Sequence, residues 1–588
     1  MLFYFRRLLS SINRYALRSH NCGELCLKNE GENVKLYGWV AYKRMNKFVV
    51  LKDSFGMTQL KINESNEKIV DIVKNLTPES CIYVEGVVEN RNKNKNLDMK
   101  TGEVEVLVKS LNVLNAAPKN LPINIKTDSQ EQTKLKYRYL DIRSQYMQNN
   151  LRLRSEVTNK IRKFLCDDAS FVEVETPTLF RRTPGGADEF VVPAGGLNKG
   201  KFYSLPQSPQ QFKQLLMIGG IDKYFQIARC YRDEGAKQDR QPEFTQVDVE
   251  LSFTDQDKVI ELIEDMIKSS WPESMNEVKS KINFKRLLYD DAITKYGTDK
   301  PDLRIPWIIE DVSYLLKDIF KCKFVQCFIA RDTCLHTSTS NKNRWKKLME
   351  INQYCEKFDF FKVNKNKWIN DKIKETLCKK FNINENDTLV LSWGNNIKAI
   401  QWTLGQLRNH IGEASGIRSS EGFEFCWITD FPLFEKSDNG KYVSSHHPFT
   451  APKECDLQKL INMENLSSIK ALHYDLVING VEVGGGSIRI HDASIQKHVL
   501  ENILEEPYDQ LQHLIDALEC GAPPHGGFAL GLDRYIALLV GKGNSNVSIR
   551  DVIAFPKSKG GRCPMVNAPV TPDENILNRY GISIVKDS

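Results

Sequence analysis

Residues 224–253 read YFQIARCYRDEGAKQDRQPEFTQVDVELSF. The stretch is two alternating runs joined by a long charged loop. Side chains on a strand alternate with a period of two. Gln226, Ala228, Cys230 and Arg232 therefore share one face of the first run, and Phe244, Gln246, Asp248 and Glu250 share one face of the second. Val247, Val249 and Leu251 take the opposite face, toward a core. The polar face gathers an arginine, an aromatic ring and several carboxylates at the mouth of the loop. Such a set suits a nucleotide lying flat, with phosphate on Arg232 and the base on Phe244, because a planar guanidinium fork grips phosphate at two points. A half-solvated hairpin has the same pattern, so the stretch alone leaves both readings open.

Upstream, LRLRSEVTNKIRKFLCDDA reads as a helix with Val157, Ile161, Phe164 and Leu165 on one apolar face. FVEVETPTL follows as a strand ending at Pro177, and a helix of this kind commonly packs against a second subunit. Downstream, YDLVINGVEVGGGSIRIH (474–491) carries Asn479-Gly480 between two alternating runs, a two-residue hairpin signal. That turn pairs Ile478 with Val481 and Val477 with Glu482. Asp475 and Glu482 then lie diagonally, roughly 7–8 Å apart at the backbone. Two such carboxylates suit a magnesium ion, or are simply acids on a solvent-facing hairpin. Gly484-Gly485-Gly486 permits a close backbone or ligand approach. GGFALGLDRYIALLVG (526–541) reads as a strand, a break at Gly531 and a helix with Arg534 in its first turn. A cation there opposes the helix dipole and hints at a nearby anion. IRDVIAFPK reads as a strand ending at Pro556, and the His446-His447 pair as a hydrogen-bonding feature without a third metal ligand at a recognisable spacing.

Five short strands, at 34–40, 47–51, 57–62, 81–88 and 104–108, suggest a small barrel such as the OB-fold, which binds oligonucleotides on one face; a barrel with no ligand is the alternative. Residues 306–415 interrupt the motif-rich segments with a lysine- and asparagine-rich stretch of weak periodicity, read as an inserted domain. With 588 residues, 41% hydrophobic and 27% charged, the chain is ordinary for a soluble protein of several domains. Its net charge of +7 is compatible with a polyanionic partner without being diagnostic. The fourteen cysteines form neither a C-x-x-C pair nor a zinc pattern, which points to reduced thiols. No run of 18 apolar residues marks a membrane span. The first twenty residues, MLFYFRRLLSSINRYALRSH, hold four arginines, three serines and no acid, the composition of a mitochondrial transit peptide.

Together these motifs resemble a known family. FVEVETPTL, the Arg-Asp-Glu of 232–234 with its following strand, and the Gly-Leu-Asp-Arg of 531–534 are similar to the three signature motifs of class II aminoacyl-tRNA synthetases. FYSLPQSPQQFKQLLM, DRQPEFTQVD, SHHPFTAP, GGGSIRIH and IRDVIAFPK resemble the bacterial-type aspartyl-tRNA synthetases, most closely their mitochondrial branch, and the resemblance runs from residue 20 to 557, weakest over 306–400. It implies an α+β fold: an antiparallel catalytic sheet with flanking helices, an N-terminal OB-fold β-barrel for the anticodon, and an inserted α+β domain. The organisation it implies is a leader (1–20), barrel (21–117), linker (118–140), catalytic domain in two parts (141–305 and 416–558) around the insertion (306–415), and a C-terminal tail (559–588).

The resemblance also implies the chemistry: L-aspartate, ATP with Mg2+, and tRNA-Asp, in a homodimer of the mitochondrial matrix with no membrane partner. By resemblance, Arg232 and Arg534 are the catalytic cations, on the α- and γ-phosphates. Asp233, Glu234, Gln241, Phe244, Glu482, Gly531, Leu532 and Asp533 complete the ATP site. Gln210, Lys213, Asp248, His446 and Arg489, with Arg232, hold aspartate, and Asp475 and Glu482 hold magnesium. Arg44, Phe48, Gln59 and Glu105 match anticodon-reading positions, although Phe48 also reads as a barrel core residue. One departure is Gly185 in TPGGADEF, where bacterial enzymes carry a glutamate, a pattern shared by the mitochondrial branch. An asparagine or lysine enzyme is opposed by Lys213 with Arg489, and a non-catalytic RNA-binding paralogue by the presence of Arg232, Glu482 and Arg534.

Overall fold

The computed structural model describes residues 15–123, 129–182, 187–235, 239–333, 335–350, 355–362, 371–418, 420–437, 439–506, 509 and 511–585. Most of the expected leader, and Gly185, lie outside the described residues. The described parts of Met1–Asn149 and Pro564–Val566 form one compact unit, and those of Asn150–Cys563 and Asn567–Ser588 another.

In the first unit, β1 (Asn33–Arg44), β2 (Phe48–Asp53), β3 (Gly56–Ile62), β4 (Cys81–Asn90) and β5 (Val104–Asn115) close a barrel in the order β1-β2-β3-β5-β4. The five strands read from alternation are all present. Val34, Leu36, Val49, Leu51, Leu60, Ile62, Val84 and Val106 fill the interior, together with Ile69 and Val73 of the helix Glu67–Asn75. Asn66 caps that helix by accepting the Ile69 amide at 3.3 Å.

The second unit is built on an eight-stranded sheet. Its strands are β6 (Val172–Glu173), β7 (Lys223–Tyr231), β8 (Glu243–Ser252), β9 (Phe284–Leu288), β10 (Phe425–Thr429), β11 (His473–Ile478), β12 (Val481–Ile488) and β13 (His525–Gly531), in the order β9-β10-β11-β12-β13-β8-β7-β6. The six inner strands are antiparallel, and only the edge strands β9 and β6 run parallel to their neighbours. One face carries the core. Val247, Val249, Phe528 and Leu530 pack there with Val157, Ile161 and Leu165 of the helix Gln145–Lys163 and its wider closing turn. Phe244 lies opposite Cys230 and Asp248 opposite Gln226, so the polar face read from the sequence is the open face of the sheet. Asn479 (φ 52°) and Gly480 (φ 77°) form the β11–β12 turn, both left-handed as the favoured two-residue hairpin requires.

Between β9 and β10 sits a separate antiparallel sheet of Glu310–Asp311, Phe324–Ala330, Thr388–Gly394 and Lys357–Phe361, in that order. Ile400, Leu404 and Leu407 of the helix Ile397–Ala414 cover one face with Phe328 and Val390, and Leu316 and Leu377 cover the other with Val325 and Leu391.

Two expected strands are corrected. Only Val172–Glu173 of FVEVETPTL is strand, because the chain leaves the sheet edge ahead of Pro177, which has no amide to give a ladder. IRDVIAFPK is not a strand at all: Ile549–Asp551 is a 3-10 turn capped by the Ser548 side chain. Side chains satisfy its backbone in place of a neighbouring strand. Asn150 donates to the Asp551 carbonyl at 3.0 Å and Arg154 to that of Val552 at 3.2 Å. The described cysteines are all free thiols. Among the described residues, no helix is long and apolar enough to cross a membrane.

Candidate active site

The open face of the sheet borders a cavity of about 800 Å³. Arg232, Glu234, Gln241, Phe244 and Asp248 reach it from the 224–253 stretch, and Gln210 from the helix Gln210–Ile218. His446 lines it from its loop, Asp475 and Glu482 from the β11–β12 hairpin, and Gly531, Asp533 and Arg534 from the start of the helix Leu532–Val540. Four predicted site residues stand apart. Asp233 is exposed, with its amide on the Asp188 carbonyl at 2.8 Å. Leu532 is core. Lys213 and Arg489 are buried and do not line the cavity, although Lys213 pairs with Asp248, which does.

At one end the charges are partly solvated. The Arg232 guanidinium lies 5.1 Å from the centre of the Phe244 ring. Arg534 donates to the Glu482 carbonyl at 3.1 Å and pairs with Asp239 at 3.4 Å. The Glu482 carboxylate itself is held by the Lys300 ammonium. Glu234 pairs with Arg240 at 3.1 Å. Gln241 binds backbone rather than open space, accepting the Lys557 amide at 2.7 Å and donating to its carbonyl at 3.2 Å. Asp533 is also committed: it accepts from Arg154 and, at 3.0 Å, from the Thr245 amide. One buried carboxylate thus ties together the helix Gln145–Lys163, β8 and the residue before Arg534.

At the other end the charges are dry. Lys213 lies 3.3 Å from Asp248 and 3.2 Å from Glu250, and Arg489 bonds Glu250 through Nε at 3.0 Å and Nη2 at 3.3 Å. Burial pushes the Glu250 carboxyl up, but Arg489 and Lys213 together outweigh it and hold it at about 2. Burial raises Asp248 despite Lys213. His447 is pushed down to about 3 by burial and then by Arg489. Toward this end, Asp248 Oδ2, Gln210 Nε2, Ser445 Oγ and His447 Nδ1, and between the two ends Arg232 Nε, are buried without a hydrogen-bond partner among the described residues. Buried polar atoms are ordinarily satisfied by protein, water or ligand, and all five of these residues line the cavity.

The hairpin joins the two ends. Its register slips by one residue at Val483, a bulge of the kind that re-aims side chains beside active sites. Burial and Glu482 push Asp475 up to about 8. The glycine run has a steric reason: a Cβ on Gly485 would meet Asp475 Oδ1 at 2.3 Å, and one on Gly486 the Gly527 carbonyl at 2.1 Å. His446 stacks on His473 with ring centres 3.7 Å apart, and His473 Nε2 lies 3.0 Å from Asp475 Oδ1. Among the described residues, no three His, Cys, Asp or Glu side chains gather as a metal cage.

Family models match in two places: tRNA synthetases class II (D, K and N) over residues 130–559, and the OB-fold nucleic acid binding domain over 34–114. The mitochondrial aspartate–tRNA ligase of Mus musculus is 42% identical over 98% of this chain and 91% of its own length. The aspartate–tRNA ligase of Buchnera aphidicola is 40% identical over 97% and 100%. The chain belongs to the class II aspartate–tRNA ligase family. The asparaginyl-tRNA synthetase of Pyrococcus horikoshii, solved with asparaginyl-adenylate, shares the fold at a TM-score of 0.58, with 18% identity over 92% of this chain and 98% of that one.

In this family member the barrel brings its four predicted residues onto one outer face. Arg44 donates to Gln59 at 3.3 Å and Gln59 to Glu105 at 2.7 Å. Phe48 is half-buried and stands outside the barrel core, which takes Val49 and Leu51 instead. Sequence reasoning missed Glu250, Lys300, His473 and Arg154 as site residues. Glu250 was legible, two residues beyond Asp248 on the same strand face. Lys300 carried no signal: it lies 182 residues from Glu482 in the chain.

Proposed function

We propose that this chain activates L-aspartate with ATP to aspartyl-adenylate and transfers the aspartyl group to tRNA-Asp for translation in the mitochondrial matrix. The observation that carries the reading is the buried Lys213–Glu250–Arg489 network beside an unpartnered Asp248 oxygen. The two cations suit a side-chain carboxylate, and Asp248 Oδ2 suits an ammonium. Asparagine has the same shape without the charge, and it would leave fixed cations without their extra anion, a penalty of about 3–5 kcal/mol where a buried pair is broken.

In the first step the α-carboxylate attacks the α-phosphorus of ATP and pyrophosphate leaves; in the second, a hydroxyl of the terminal adenosine attacks the aspartyl carbonyl, loses its proton and takes the aspartyl group as AMP leaves. No side-chain nucleophile is needed, and the protein's work is positioning and charge neutralisation. Arg232 serves the α-phosphate and Arg534 the γ-phosphate. Arg232 now occupies the Phe244 face that base stacking needs, so nucleotide binding and a shift of its guanidinium go together. Asp475 and Glu482, two carboxylates on one cavity wall, fit a hard cation. Magnesium held there would screen the triphosphate charge.

We assign the barrel face of Arg44, Phe48, Gln59 and Glu105 to the anticodon, and the domain limits to those read from the sequence. Val172 and Leu179 of the first motif stand 50% and 49% exposed, which supports a homodimer through that edge. The mitochondrial relatives and the arginine-rich leader support import. Pyrophosphate exchange with aspartate, asparagine and lysine, followed by charging of purified mitochondrial tRNA-Asp and tRNA-Asn, tests the reading. Exchange with aspartate alone and charging of tRNA-Asp are expected; exchange with asparagine and not aspartate overturns it.

A further inference from the structure

We propose that Lys300 is a further phosphate-facing cation of the ATP site: its ammonium neutralises Glu482 while no nucleotide is bound and passes to a phosphate oxygen when ATP enters. The inference rests on the function proposed above and goes beyond the residues assigned there.

Lys300 lines the cavity beside Asp475, Glu482 and Arg534. Its ammonium holds the Glu482 side chain, while Arg534 holds the Glu482 carbonyl from the other side at 3.1 Å. Two cations therefore converge on one residue at the end of the cavity assigned to the phosphates. The Lys300 side chain is 39% exposed and that of Glu482 29%. A pair this open is weak, and a lysine ammonium on a flexible stem exchanges partners easily. A triphosphate offers it a stronger, more highly charged acceptor.

The backbone that delivers Lys300 is, by contrast, fixed. Two residues on, the fully buried Asp302 accepts from Arg304 Nε at 3.0 Å and Nη2 at 2.8 Å. Arg304 in turn donates to the carbonyls of Gly543 and Arg418, each at 3.0 Å. The inserted domain adds a second brace. Arg408, fully buried on the helix Ile397–Ala414, donates to the carbonyls of Trp307 at 2.6 Å and Ile305 at 2.8 Å. Gly297 presses on the same helix so closely that a Cβ would meet the Gln401 carbonyl at 2.1 Å. A plain surface ion pair has no need of such support. A fixed backbone under a long, flexible side chain is what a phosphate-binding lysine requires, and it gives the inserted domain a part in the site.

The test compares Lys300→Met, which keeps the stem, with Lys300→Arg, which keeps the charge. ATP affinity without aspartate is read by calorimetry, and KM for ATP and for aspartate by pyrophosphate exchange. Loss of one charge-assisted phosphate contact weakens ATP binding and raises its KM by about tenfold or more in Lys300→Met. The KM for aspartate stays unchanged, and Lys300→Arg recovers most of the loss. Thermal unfolding with Mg2+ alone gives an independent readout: without the competing ammonium, Lys300→Met responds at lower Mg2+ than wild type. Unchanged ATP affinity in Lys300→Met overturns the proposal, as does an equal loss for ATP and aspartate. Failure of the wild-type protein to exchange pyrophosphate with aspartate counts against the proposed function instead.

Discussion

At the end of the cavity proposed for the amino acid, the side chains of Lys213, Asp248, Glu250 and Arg489 are between 0% and 5% exposed; at the end proposed for the phosphates, those of Lys300, Glu482, Arg534 and Asp239 are between 26% and 58% exposed. The two ends hold the same kinds of charge, and solvent separates their behaviour. Buried ions lose their hydration on folding and depend on fixed partners, so the inner network is rigid and suits selection of one small substrate by charge. Exposed pairs contribute little and are readily replaced, which suits a triphosphate that enters with its own counter-ions and leaves as pyrophosphate.

The hardest test of this contrast is Glu250→Gln. It keeps the shape but takes the carboxylate from the buried Arg489 and leaves Lys213 only Asp248, so unfolding stability falls by roughly 3–5 kcal/mol and aspartate-dependent exchange is lost. Thermal denaturation and exchange assays read both, and a stable, active variant would break the comparison from the inner side. Arg534→Ala probes the outer end. Exchange falls by about 10²–10³, the scale for losing one preorganised donor to a developing charge, while stability stays within about 0.5 kcal/mol, as for an ordinary surface substitution. Asp533→Asn sharpens the boundary between the ends, because this buried carboxylate anchors the residue before Arg534 to Arg154 and the Thr245 amide. Losing the charge costs about 1–3 kcal/mol of stability, with KM for ATP rising and KM for aspartate steady.

The contrast also shows in pH dependence. His447 sits at about 3 in the folded protein against an ordinary 6.5. The unfolded chain therefore binds the extra proton in that window, and stability rises with pH from about 3 toward 6.5. Glu250, held at about 2 against 4.5, adds stability that is present above 4.5 and lost as pH falls through about 2. Melting temperatures between pH 4 and 7 for wild type and His447→Asn check the first term, and the variant's profile should be flatter.

Much of the site was legible from local pattern. The period-two faces of 224–253, the Asn479-Gly480 turn and the Gly531 break each depend on neighbours in the chain, and each stands where it was read. IRDVIAFPK was misread because Ile549 and Val552 are buried against the core from a 3-10 turn and the residue that ends it; burial, not pairing, explains their apolar character. Phe48 could not be placed by alternation, since Val49, Val50 and Leu51 are all buried.

By itself the sequence determined most of the strands, the turn, the family motifs and which side chains share a strand face, because backbone sterics and side-chain alternation act over a few residues. Only the tertiary structure decided which charges are dry and which are wet. It also decided that Gln241 and Asp533 serve the backbone and that Lys300 meets Glu482. Desolvation and ion pairing depend on what distant segments bring within a few ångströms, and that distance is set by the packing of the whole sheet.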